Sequence, residues 1–99
     1  MLLTFEVVVD EGEFRRAPSP QRRKLRQLGR RLREEPYLGD RIRQGLWPAK
    51  FRLMPNLYRL ELPDGWRALY TVSTHPRTGD MVKIVWIGDH RQYERLFGF

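Results

Sequence analysis

The sequence predicts a single small α/β domain of the α+β kind, spanning residues 1–99. About four strands form a mostly antiparallel sheet packed against one or two N-terminal helices. Three observations carry this prediction. A chain of 99 residues has room for one hydrophobic core and no second unit. An arginine-rich segment with leucines at three- and four-residue steps comes early. Three runs rich in β-branched and aromatic residues follow it, parted by turn chemistry.

Taken in order, Leu2 to Val9 is a short apolar run closed by Asp10, Glu11 and Gly12, which suits a first strand better than a helix. Ser19 is the expected N-cap of the following helix, with Pro20 at the first helical position, where its missing N–H costs nothing. That helix should run to about Glu35, with Leu25, Leu28 and Leu32 as a narrow apolar stripe and arginines over the rest. Pro36 stops it. Gly39 to Leu46 reads as a short second helix or an irregular connection, and Trp47-Pro48 begins an extended passage. Asn56 to Leu62, Trp66 to Ser73 and Met81 to Ile87 form an antiparallel meander, with a turn at Pro63-Asp64-Gly65 and a longer loop around His75 to Gly79. Asp89 to Phe97 should close the chain as a short helix, with Tyr93, Leu96 and Phe97 at helical spacing.

The first hairpin can be read for register. Pro-Asp-Gly fits a type I turn with Gly65 left-handed, which gives a three-residue loop and pairs Leu62 with Trp66. Tyr58, Leu60, Leu62, Trp66, Ala68, Tyr70 and Val72 then share the face that buries against the helix, while Arg59, Glu61, Arg67 and Thr71 share the other. A two-residue loop would put Arg67 among the leucines, a costly burial of charge.

Composition narrows the function. Nineteen Lys plus Arg against twelve Asp plus Glu give a net charge of +7. Such a field attracts nucleic acid, ribosome, anionic lipid or an acidic protein. Only Lys24, Lys50 and Lys83 among those nineteen cations are not arginine. That bias fits bidentate phosphate contacts, or a GC-rich genome. With no cysteine and two histidines, His75 and His90, thiolate chemistry is excluded, and we expect no metal and no small-molecule cofactor. No apolar run approaches the roughly 20 residues that span a bilayer, and no basic n-region precedes the apolar start, so no membrane association and a cytoplasmic location are expected.

The stretch from Asn56 to Val72 (NLYRLELPDGWRALYTV), a further strand and then Ile87-Gly-Asp-His-Arg-Gln-Tyr93 resemble the RelE/ParE superfamily of type II toxins. The resemblance covers the chain from about Arg41 onward, and the first forty residues agree only in element order. In RelE-like members it implies a ribosome-dependent endonuclease that cleaves mRNA by attack of the 2′-OH on the neighbouring phosphate. That chemistry needs no metal if cations surround the phosphorane and groups are present to move the two protons. Arg67, after the Gly-aromatic pair, and Arg59, in the preceding strand, match the phosphate-holding positions. His90 or Arg91 matches the basic position after the last strand, and Tyr93 the tyrosine that stacks on a base. Lys50 and Arg52 are assigned to substrate binding with Tyr93. The resemblance also implies a cognate acidic antitoxin as partner, beside ribosome and mRNA.

There are departures. The family's tyrosine lies further from the strand end than Tyr93 does, and one of its lysines falls on Glu61, which is either a general base or an ion-pair partner of Arg67. The gyrase-inhibiting ParE branch lacks the nuclease residues, so a protein-targeting toxin is one alternative and a domesticated, non-catalytic RNA-binding module another. Single residues have bland readings beside these. His90 can cap or ion-pair locally near Asp89, though its ordinary pKa also suits proton transfer. Tyr93 can be a core anchor. The helical arginines read as a general electrostatic footprint or as the seat of the antitoxin.

Overall fold

Asp10 ends strand β1 (Glu6–Val9) and starts a helix in one step, because its side chain accepts a hydrogen bond from the Glu13 N–H at 3.0 Å. The computed structural model describes residues 4–77 and 79–98, so Leu2 and Leu3, the expected start of β1, lie outside it. Helix α1 (Glu11–Arg16) therefore replaces the predicted turn, with acids in its first turn and arginines in its last, as the helix dipole favours. Helix α2 (Ser19–Leu32) follows after Ala17 and Pro18. Its cap position is Pro18 rather than Ser19, and it makes no side-chain cap; the Ser19 hydroxyl instead accepts from the Arg22 guanidinium at 3.0 Å. The helix stops one turn before the predicted Glu35.

The sheet has five strands in the order β1-β5-β4-β3-β2. Strands β3 (Tyr58–Glu61), β4 (Arg67–His75) and β5 (Gly79–Gly88) are the predicted meander. Strand β1 joins β5 in parallel, and a two-residue strand β2 (Asp40–Arg41) pairs with β3. That fifth strand comes from the segment expected as helix or irregular chain. Two 3₁₀ turns, Gln44–Leu46 and Ala49–Phe51, carry the chain back. The hairpin register is the predicted one, with Glu61 opposite Arg67 and the Leu62 N–H bonded to the Trp66 carbonyl at 2.8 Å. The turn differs from the expected type I. Both central residues are left-handed, Asp64 at φ 59° and Gly65 at φ 76°, the signature of a primed turn, whose twist matches that of the strands.

One sheet face packs on α2. Leu25, Leu28 and Leu32 meet Tyr58, Leu60, Ala68, Tyr70 and Val72, as the alternation requires. The other face is not left to solvent, because Leu57 and Leu69 lie on it and gather a second core of Ile42, Phe51, Trp86 and Tyr93. A bulge opposite Leu69 and Tyr70 makes this possible. Leu69 pairs with Trp86 but Tyr70 with Ile84, so Val85 is extra and Trp86 turns to the second face. Helix α3 (His90–Phe97) lies over that face, its start locked by a reciprocal capping box between Asp89 and Gln92. Gly88 lets the Trp86 ring lie against the backbone, since a Cβ there would come within 2.4 Å of it. No helix among the described residues is long and apolar enough to cross a membrane.

Candidate functional site

Alternation along β3 and β4 aims Arg59, Glu61 and Arg67 at the second face, where α3 and the 42–54 segment build walls around them. Tyr93, one turn into α3 and 4 % exposed, is the pivot. Its ring packs against Phe97 at 4.4 Å and Trp86 at 6.1 Å between centroids. The Arg67 guanidinium carbon sits 4.4 Å from the Tyr93 ring centroid, a cation–π contact on a partly dry surface. The Arg59 Nη1–H donates to the Tyr93 hydroxyl at 3.2 Å.

Glu61 bridges the two cations. Its Oε2 accepts from Arg67 Nε at 3.3 Å, and its Oε1 lies 3.2 Å from Arg59 Nε. The second contact is an ion pair without hydrogen-bond alignment, so the buried Arg59 Nε–H has a charged neighbour and no acceptor. Asp40, on β2, meets Arg59 Nη2 at 3.4 Å. The Arg59 and Arg67 side chains are 30 % and 22 % exposed and Glu61 is 55 % exposed. The hydrogen bond to Tyr93, more than any other cause, holds the Arg59 guanidinium above its usual pKa, against the opposing effect of burial. The four charges cancel, yet the terminal nitrogens of Arg67 make no hydrogen bond to protein among the described residues. They can take two oxygens of an oxyanion in the planar fork geometry that arginine presents.

Arg59, Glu61, Arg67 and Tyr93 are thus brought together as the sequence suggested. The ring of Tyr93 is closed to a base, because Arg67 covers it and Trp86 and Phe97 pack around it; its packing is that of the core anchor, with the guanidinium in the stacking position. The remaining predicted residues stand apart. His90 opens α3 beside the hairpin turn and its Nε2 pairs with Glu94 Oε1 at 2.8 Å. Arg91 is exposed on the same helix, and Lys50 and Arg52 are exposed on either side of the buried Phe51, with Lys50 Nζ 5.2 Å from its ring. No hydrogen bond or ion pair joins these four to the cluster among the described residues.

Sequence reasoning missed Asp40 and the cavity beside it. That cavity, of about 250 Å³, is lined by Arg59, Tyr93, the 40–43 segment, Leu46 and Phe97. Asp40 sits on a strand of only two residues, which leaves no periodic signal to read. No family model, curated protein or solved structure matches this chain, so the resemblance to the RelE/ParE superfamily has only the quoted residues behind it.

Proposed function

We propose that the chain is the toxin of a type II toxin–antitoxin pair and acts in the cytoplasm as a ribosome-dependent mRNA endonuclease. The observation that carries this reading is the Arg59–Arg67 pair, two part-buried guanidiniums held at fixed angles by Tyr93 and Glu61, one with its fork open. Such a pair suits the equatorial oxygens of a phosphorane, where charge develops during transfer. The 2′-OH of the preceding ribose attacks phosphorus, the bond to the 5′ oxygen breaks, and the products are a 2′,3′-cyclic phosphate and a 5′-OH. Glu61 takes the 2′ proton, since a phosphate on both guanidiniums lies beside the carboxylate that touches both. His90, with Arg91 nearby, returns a proton to the leaving oxygen after a change of partner from Glu94. Lys50, Arg52 and the arginines of α2 add the diffuse attraction for a polyanion, and an acidic antitoxin would answer the same charge.

A second reading rests on the same contacts. The cluster is neutral as it stands and His90 is tied to Glu94 outside it. That arrangement suits a ParE-like toxin that binds a protein target such as gyrase and cuts nothing. The deciding experiment is expression in a translating extract of the wild type and of Arg67→Gln with His90→Ala, reading mRNA 5′ ends by primer extension. New ribosome-dependent ends that the variant lacks support the nuclease. Growth arrest in cells with intact message sinks it in favour of the protein-targeting toxin.

A further inference from the structure

We infer that the cavity between β2 and α3 is a nucleobase subsite, holding an unpaired base of single-stranded RNA whose phosphate lies on Arg67 and Arg59. This rests on the reading of that pair as a phosphate clamp. The wall of the cavity includes Arg59 and Tyr93, so it borders one arginine of the clamp and the ring on which the other rests. Tyr93 offers no open ring face, because Arg67 stands 4.4 Å over it, and a base next to a clamped phosphate must find another apolar surface. Ile42, Leu46 and Phe97 supply one, with Leu46 48 % exposed. Arg41 and Arg43 rim the same cavity, and guanidinium planes stack on bases as well as pairing with phosphates. The one acid there, Asp40, is already engaged by Arg59. An apolar floor under a cationic rim matches a nucleotide, whose base is flat and weakly polar on its faces and whose backbone is anionic.

A second cavity, of about 350 Å³, shares Arg41, Ile42 and Arg43 and is closed by Trp47 and Pro55. The two arginines therefore form a ridge between two hollows. That geometry suits a strand with a phosphate over the ridge and a base on either side, and favours RNA over a free mononucleotide.

The test is a binding series on the folded protein, using inorganic phosphate, ribose 5-phosphate, the four nucleoside 5′-monophosphates and a 2′-O-methylated trinucleotide that cannot be cleaved. At least one monophosphate should bind about tenfold more tightly than ribose 5-phosphate, the scale of one stacked base. Leu46→Asn, an uncharged change at an exposed position, should erase that difference and leave phosphate binding intact. The trinucleotide should bind more tightly still and lose that gain in Arg43→Ala. If ribose 5-phosphate equals every monophosphate while phosphate binding remains dependent on Arg67, the base subsite is overturned and the clamp stands. If no probe binds, or binding ignores Arg67→Gln, both fall. A trinucleotide no tighter than the best monophosphate overturns the assignment to RNA.

Discussion

Glu61→Gln should raise affinity for phosphate while lowering any cleavage. In the resting protein the carboxylate lies 3.2 Å from Arg59 and 3.3 Å from Arg67, where an incoming oxyanion must compete with it. Glutamine keeps the size and an acceptor oxygen, and takes the cluster from neutral to one net positive charge. Glu61 is 55 % exposed, so water screens both pairs. Pairs of this kind contribute roughly 0.2–1 kcal/mol each, which puts the two together at about 1 kcal/mol. A phosphate that no longer displaces the carboxylate gains that amount, a factor of about five in Kd. The advantage should shrink with salt, since the Debye length falls from about 10 Å at 0.1 M to 3 Å at 1 M. Titration of inorganic phosphate into both proteins by calorimetry, at low and high salt, reads it directly. In the nuclease assay the same variant should lower kcat and KM together, because the base is lost and the competitor removed. Equal or weaker phosphate binding by Glu61→Gln would refute the reasoning and make Glu61 a group that orients the arginines.

The other predictions concern the frame that holds the site. Burial, outweighing the hydrogen bond from the Gly39 N–H, pushes the Tyr70 hydroxyl up to about 12. Unfolded tyrosine titrates near 10, so the folded state keeps a proton that the unfolded state gives up. Stability present below pH 10 should therefore fall by roughly 2–3 kcal/mol as pH rises to about 12, and denaturant melts of Tyr70→Phe should lose most of that slope. Asn56 accepts from the Val72 N–H at 2.7 Å and donates to its carbonyl at 2.9 Å, acting as one more paired residue of β3. Asn56→Ala strands both groups at a cost of roughly 2–3 kcal/mol; a thermal melt within a degree or two of wild type would contradict this. Past the end of β1, Glu13 accepts from the Ile87 N–H at 3.0 Å. Glu13→Ala should cost about 1–2 kcal/mol while Glu13→Gln, which retains an acceptor, costs less, a ranking that urea unfolding resolves.

The hairpin was legible because three local signals agree: Pro-Asp-Gly, the alternation of apolar and charged residues on both sides of it, and the penalty for burying Arg67. The second core was hidden by the same alternation. Leu57 and Leu69 stand among charged neighbours on a face that reads as solvated, and only the covering segments reveal that both are fully buried. Strict alternation along β5 would also send Trp86 to the helix side with Val82 and Ile84, and the bulge at Val85 reverses it. A bulge has no period of its own to read. Strand β2 is two residues long, too short for any pattern to declare itself, and with it went Asp40 and the cavity wall. Asp10 was read as a turn residue, although an acid three residues before Glu13 is also cap chemistry.

Partial burial changes what the arginine pair can do. On an open sheet two arginines opposite a glutamate are mobile, hydrated and weak as a receptor. Here Tyr93 supplies a ring beneath one guanidinium and a hydroxyl acceptor for the other, and α3 is held at its start by a capping box, so both cations keep their orientation without a ligand. The cost of that order is met in folding, and binding an anion then needs little further loss of side-chain freedom. The two carboxylates differ in how readily they yield. Among the described residues Asp40 pairs with Arg59 alone, at 3.4 Å, from the edge of the sheet, whereas Glu61 spans both cations from the exposed side of β3. A ligand with one negative charge gains nothing over Glu61 and should not displace it. A phosphodiester in a strand brings its neighbours' charges as well, and Arg41 and Arg43 lie along the wall that such neighbours would meet. Selectivity for a polyanion over a small monovalent anion is thus a property of the neutral resting cluster rather than of the arginines alone.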